Sequence, residues 1–515
     1  MRSDRIAFSD RCTRTSRPDP GGVIMATPLQ QSSSPGTTTP SLKPATLAQS
    51  ARLSLSLLIA LVVGSIIGSG AYSLPQNMAA GAGAGAILIG WLVTGIGMLS
   101  LALVYQMLSN RKPELDNGVF AYAKALGGDF VGFNSAWGYW ISAWIGNVGY
   151  LVILFAAASY FFPAFGDGNN KVAIIAASLL LWAMHFMILR GIRTAARANA
   201  ITTIAKIVPI LVFVGCAALA FHPDTFVAGF WGAPALGSIL DQVKSTMLVT
   251  VWVFIGIEGA NVYSARAAER VNVGRATIIG FAITLLLLIS VSLLSLGILG
   301  QPELAAMKNP STAGVLQAIA GPWGGMMISL GLMVSVGGAL LAWTLLSAES
   351  LFSPAKASVM PKVLSKENGQ GVPANALWVT NGCIQLFLIL TLYANATYLA
   401  LISLATSMIL LPYLFSGLYA LKVSWLDRGQ AGRDSLSGRD LAISLVASVY
   451  CFWLLYAAGP KYLLLSALLY APGSLIYLLT PGRKPLNGFA KGLLVLIWLA
   501  AAVAAWMLWQ GLLSL

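Results

Sequence analysis

Charge is scarce in this sequence. Of 515 residues, 9% are Asp, Glu, Lys or Arg and 57% are hydrophobic, with a mean hydropathy of +0.78. That excludes a water-soluble globular protein, which carries about 25% charged residues. Histidine is scarcer still: only His185 and His222, near opposite ends of apolar runs, where structural or interfacial roles suffice. The four cysteines, Cys12, Cys216, Cys383 and Cys451, are scattered and show no spacing for metal ligation or a disulfide framework. No metal and no other cofactor is implied. The apolar runs hold no His/Cys/Asp cluster and no nucleophile–base spacing, which leaves a membrane enzyme without support. They also lack the charged rings and pore-lining repeats of a channel. Residues 1–50 lack any apolar period and are rich in Ser, Thr, Pro and Arg, so a disordered tail is expected there. No apolar core with a cleavage site precedes the first span, so no cleavable signal is expected, and Met25 is an alternative start to Met1.

What the sequence has is apolar runs. Read in lengths of about 20 residues, they give about thirteen candidate spans. These fall near 54–79, 86–109, 131–161, 172–190, 199–221, 244–264, 276–300, 321–351, 375–395, 398–422, 439–458, 461–480 and 488–513. Twelve is the alternative count, because short loops merge or split neighbouring runs. The net charge of +14 does not point to nucleic acid, because of where it sits. Arg111, Lys112, Arg190, Arg193, Arg197, Arg266, Arg270, Arg275, Lys356, Lys362, Arg428, Arg433, Arg483 and Lys484 all follow even-numbered spans. Only Lys171, Lys244, Lys308 and Lys461 fall on the other side. This positive-inside asymmetry predicts a multi-pass protein of the cell (inner) membrane with a cytoplasmic amino terminus. Most connections are short. The stretch 111–128 is expected to hold a short cytoplasmic helix, and 222–243 a short interfacial one.

The first span is unusual. Val62–Pro75 contains Gly64, Gly68, Gly70, Ser65, Ser69, Ser73 and Pro75. A plain membrane helix has no need of Gly68-Ser69-Gly70 at its middle. Close packing through small residues is the simpler explanation. A helix that unwinds at midplane is the other, and it is tolerated only where protein or a cavity satisfies the freed backbone groups. The sixth span, Trp252-Val-Phe-Ile255-Gly256-Ile-Glu258-Gly259, is again broken by glycine and carries a carboxylate. A charge at that depth costs about 2.5–3.5 kcal/mol and marks a functional position. Broken spans one and six occupy corresponding places in two halves, the pattern of an inverted repeat built around a midplane substrate site.

The segments Gly68-Ser69-Gly70 with Leu74-Pro75, Asn117–Tyr122, Trp144–Asn147, Trp252–Glu258, Ala342-Trp343 and Leu411-Pro412-Tyr413 together resemble the amino acid–polyamine–organocation superfamily. The resemblance runs from about Leu53 to Pro485. It is strongest to the basic amino acid/polyamine antiporters, of the arginine–ornithine kind in particular. It implies an all-α polytopic membrane protein with a 5+5 inverted-repeat transporter core and broken helices one and six. The expected organisation is 1–50 as cytoplasmic tail, 51–225 and 240–422 as two five-helix repeats, and 438–515 as peripheral transmembrane helices. The implied partners are small cationic amino acids and membrane lipid, with a homodimer as an admissible assembly and no nucleic acid.

The site expectations follow residue by residue. Free N–H groups at Ser69 and Gly70, on the positive end of a half-helix, suit a substrate carboxylate. Carbonyls freed at Ile66 or Ile67, and at Trp252 and Ile255, suit an ammonium, and Gly68 and Gly256 are expected among the substrate-binding residues. Trp252 and Trp343 offer aromatic faces to a cation, worth about 0.5–2 kcal/mol. By resemblance, Trp252 closes the site toward the outside, Trp343 contacts the substrate side chain, Tyr139 is a gate tyrosine, and Asn147 with Ser142 lies near that side chain. Ser403, with Ala405 or Thr406, is the expected lining from span ten. Ala143 and Val253 stand where agmatine-exchanging relatives have more polar residues, so ornithine and lysine are as admissible as arginine. Glu258 is read either as a proton-linked gate or as a protonated structural hydrogen-bonder. Lys206 either snorkels to the cytoplasm or, by resemblance, places its ammonium where related transporters hold sodium. Glu349 either pairs with it or faces the cytoplasm. The functional expectation is antiport of cationic amino acids. The alternative is proton-coupled symport of a basic or other amino acid.

Overall fold

The computed structural model describes residues 54–115, 118–191, 206–258, 270–394, 396–426 and 434–513. The expected tail 1–50 lies outside them, as do Asn117, the segment 192–205 and the stretch just after Glu258. Every regular element among the described residues is helical. The helices are α1 (Leu55–Ile66), α2 (Gly70–Ala79), α3 (Ala84–Arg111), α4 (Val119–Gly127), α5 (Asp129–Ala158), α6 (Lys171–Leu189), α7 (Ile207–Leu219) and α8 (Ile239–Trp252). They continue as α9 (Arg270–Leu296), α10 (Ser311–Ala320), α11 (Pro322–Lys356), α12 (Ala374–Ala394), α13 (Tyr398–Leu426), α14 (Asp434–Leu479) and α15 (Gly488–Trp509).

Nine of these are long and apolar enough to cross a membrane, and the bent pair α1–α2 makes a tenth. The protein is an all-α, multi-pass membrane protein. Within α14, Gly459 adopts φ 70° and is followed by Pro460, so the helix kinks there. That is the point at which the sequence divides spans eleven and twelve. The short helix α4 lies where one was expected between spans two and three. The connection expected to hold an interfacial helix contains a single turn, Pro223–Val227, and a 3₁₀ turn, Pro234–Leu236. The eighth span runs on to Lys356, five residues beyond its expected end.

Burial sorts the helices. The membrane-length window of α5 is wholly buried, packed by α4, α11, α12, α13 and α14. α13 is nearly as enclosed. α15 and α6 expose Leu496, Leu499, Ile175 and Leu179, side chains suited to lipid rather than water. α5 packs closely because its glycines admit neighbours. At Gly146 a Cβ would lie 2.9 Å from Cη2 of Trp252, too near for any side chain.

The first span breaks where the sequence predicts. α1 ends at Ile66, α2 starts at Gly70, and their axes differ by 46°. Both halves pack on α9, and α2 packs in addition on the connection 301–320 and on α8. Thr312 Oγ1 donates to the Tyr72 carbonyl at 2.8 Å, and the Gln76 N–H donates to Ser311 Oγ at 3.1 Å. Asn309 Nδ2 donates to Gln76 Oε1 and Asn77 Oδ1 at 2.9 and 3.0 Å. Gln301 Nε2 caps the Ala79 carbonyl at 2.7 Å.

Candidate functional site

The break of the first span and the non-helical end of the sixth lie directly against each other. After Trp252 the backbone leaves helix, and Gly256 takes φ +106°, a conformation that side chains disfavour. A Cβ at Gly256 would lie 3.3 Å from the Ser65 carbonyl oxygen of α1 and 3.5 Å from Cζ2 of Trp343. Glycine therefore brings the sixth-span break, the end of α1 and the Trp343 indole into contact. Residues 139, 142, 146 and 150 fall on one face of α5 at helical spacing.

Two tiers of aromatic and polar groups bound the space between the breaks. In one, Glu258 accepts from the Tyr139 hydroxyl at 2.8 Å on Oε1, and from the Tyr413 hydroxyl at 2.9 Å and the Gly256 N–H at 3.2 Å on Oε2. In the other, Tyr398 Oη lies 2.8 Å from Ser69 Oγ and accepts from Trp252 Nε1 at 3.3 Å, while the Tyr150 ring sits 5.8 Å from that of Trp252. Tyr139 and Tyr150 are eleven residues apart on α5, about 16 Å of rise. Tyr413 and Tyr398 mirror them on α13. The tiers are thus one above the other.

Of the other predicted residues, Ile66, Ser69, Gly70, Ser142, Asn147, Ile255 and Ser403 are buried, and Trp343 is partly so. Asn147 Nδ2 donates to Thr344 Oγ1 at 3.3 Å, next to Trp343, and its Oδ1 is buried without a partner. A buried acceptor left open costs about 1–3 kcal/mol, so its conformation suits a donor arriving from elsewhere. Thr406 spends its hydroxyl on the Ile402 carbonyl of its own helix.

Lys206 does not snorkel. It is 6% exposed, and its ammonium donates to the Gly64 carbonyl in the last turn of α1. A cation there meets the negative end of the half-helix dipole. Its own carbonyl accepts from the Tyr72 hydroxyl of α2 at 2.8 Å, so one residue of span five touches both halves of span one. Glu349 is exposed and accepts from Ser353 instead of pairing with Lys206.

Sequence reasoning did not find Tyr398 or Tyr150. Nothing local marks them: each is one tyrosine among sixteen, and Tyr398 meets its partner Ser69 from 329 residues away. A cavity of about 510 Å³ opens elsewhere, beside Glu114, Phe120, Lys124, Asp129, Tyr477 and Lys484. No predicted site residue lines it. Among the described residues no group of His, Cys, Asp and Glu is arranged to hold a metal ion.

A membrane span broken at its middle, meeting the non-helical end of another span around Gly256 and the Trp343 indole, defines a secondary transporter rather than a receptor or scaffold. The sequence model of the amino acid permease family matches residues 53–464, and the chain belongs to that family. It is 52% identical over 477 residues to the arginine/ornithine antiporter of Pseudomonas aeruginosa, covering 90% of this chain and 99% of the relative. It is 44% identical over 468 residues to a putative arginine/ornithine antiporter of Escherichia coli, covering 89% and 99%. An arginine/agmatine antiporter of Chlamydia felis is 40% identical over 445 residues, covering 84% and 91%.

Proposed function

We propose that this protein is an antiporter of cationic amino acids, exchanging arginine against ornithine across the cytoplasmic membrane, with its amino terminus in the cytoplasm. The observation that carries the reading is the meeting of the two breaks, with the Trp252 indole against Gly70, the Trp343 indole against Gly256, and the part-buried Glu258 beside them. The N–H groups opening α2 take the carboxylate, since the first turn of a helix has no internal partners for them. Carbonyls at Ile66 and Ile255 take the α-ammonium. Trp343, Asn147 and Ser142 face the cationic side chain, and Trp252 covers the site. Residues 51–225 and 240–422 form the two repeats around it.

The test is uptake of radiolabelled arginine into proteoliposomes preloaded with ornithine, arginine, lysine, agmatine or nothing. Uptake is expected only with a cationic amino acid inside, and unchanged when choline replaces sodium, because the Lys206 ammonium holds the α1 end. Strong uptake into empty vesicles driven by an inward proton gradient favours symport. Collapse without sodium overturns the role given to Lys206.

Glu258 supports a proton-linked version of either mode. Three donors converge on its two oxygens. Glu258→Gln keeps the shape but offers one acceptor oxygen and an NH₂, so one tyrosine hydroxyl must turn away. The variant is expected to bind substrate and to lose most of the pH dependence of exchange. A parental pH profile in that variant places the titrating group elsewhere.

A further inference from the structure

Tyr398 is buried, stands at the first turn of α13, and joins three spans through one oxygen. Its hydrogen-bond arithmetic is restrictive. The Trp252 indole N–H is a donor only, so the phenol oxygen must accept from it at 3.3 Å. The phenol then has one proton to give, and two hydroxyls take up its remaining bonds: Ser69 Oγ at 2.8 Å, where either oxygen can be the donor, and Ser73. Ser69 directly precedes Gly70, the first residue of α2, at the positive end of that half-helix, where the Tyr72 N–H bonds the Ser69 carbonyl at 3.1 Å. A buried hydroxyl with a proton it can give thus stands beside the positive end of a half-helix, held there by the Trp252 indole.

Resting on the cationic amino acid reading above, we propose that Tyr398 is a specificity-determining residue that recognises the substrate's α-carboxylate. A carboxylate arriving at the start of α2 is an anionic acceptor, and it outcompetes the neutral Ser69 hydroxyl for the phenol proton. The phenol then bonds the substrate while still accepting from Trp252, so occupancy of the carboxylate position and placement of the covering indole share one oxygen. A decarboxylated amine of the same side chain brings no acceptor to this point. It leaves the Tyr398–Ser69 bond as it is and gains nothing from it. Tyr398 accordingly favours amino acids over the amines derived from them.

The experiment compares Tyr398→Phe with the parent in detergent, by calorimetric titration with arginine, ornithine and agmatine, the last lacking the carboxylate. The parent is expected to bind all three. Tyr398→Phe is expected to weaken arginine and ornithine about tenfold, the scale of one hydrogen bond to a charged group, and to leave agmatine within about twofold. Equal weakening of all three, or of none, overturns the proposal. A parent that binds neither amino acid overturns the substrate reading, and this proposal with it. If Tyr398→Phe is not monodisperse, a fluorotyrosine placed at 398 gives the same answer. Its fluorine resonance is expected to move on adding arginine and not agmatine, and an equal response to both overturns the proposal.

Discussion

Lys206→Met is expected to reduce exchange by at least about tenfold in protein that still inserts and purifies. Methionine fills nearly the same space without a charge or donor. The Gly64 carbonyl at the end of α1 then loses its ammonium, and an unpaired acceptor or a lost charge-assisted bond costs about 1–3 kcal/mol. The same change removes the cation from the negative end of a half-helix dipole, worth about 0.3–2 kcal/mol more. Both losses fall on α1 alone, because the Tyr72 bond goes to the Lys206 backbone carbonyl, which methionine keeps. The variant therefore unbalances the two halves of the first span rather than unfolding the bundle. Counterflow rates in proteoliposomes measure the effect. Parental exchange in Lys206→Met means that the ammonium only fills space.

Trp343→Ala is expected to raise the dissociation constant for arginine by about ten- to thirtyfold. Loss of a desolvated cation–π contact accounts for up to about 2 kcal/mol, roughly thirtyfold. Trp343→Phe keeps an aromatic face and is expected to recover most of the affinity. Calorimetric titration of both variants decides between two roles for the indole. Equal affinity in parent and alanine variant leaves Trp343 as the packing partner of Gly256 and nothing more.

Much of this site is written locally. Gly68-Ser69-Gly70 marks a break because those residues weaken a helix at a depth where backbone exposure is otherwise forbidden, and α1 and α2 part there. Gly256 and Glu258 mark the second break for the same reason, and the positive φ at Gly256 follows. Helical spacing on α5 puts Tyr139, Ser142 and Gly146 on one face, which is readable by counting. Partners across the bundle are not readable by counting. That Tyr413 and Tyr139 grip the two oxygens of Glu258, or that Tyr398 reaches Ser69, depends on how α13 packs against α5 and α8. An apolar helix of uniform character gives no clue to which way it faces. Lys206 illustrates the same limit: its sequence context allows a snorkelling side chain or an inward one, and only the position of Gly64 decides. Glu349 was a candidate partner by proximity along the chain of expectations, and it lies exposed at the far end of α11.

The bonds between α2 and the segment 301–312 have a mechanical meaning. Three of them, from Thr312 to the Tyr72 carbonyl, from the Gln76 N–H to Ser311 and from Gln301 to the Ala79 carbonyl, engage the main chain of the half-helix itself. Counted with those of Asn309, and at about 0.5–1.5 kcal/mol each, they weld half of a membrane span to a separate stretch of chain. A tilt of that half-helix drags this strap along, whereas Lys206 of span five holds both halves, α1 by its ammonium and α2 by its carbonyl. The 46° bend is thus a joint pinned at one residue, with a second handle on one of its two levers.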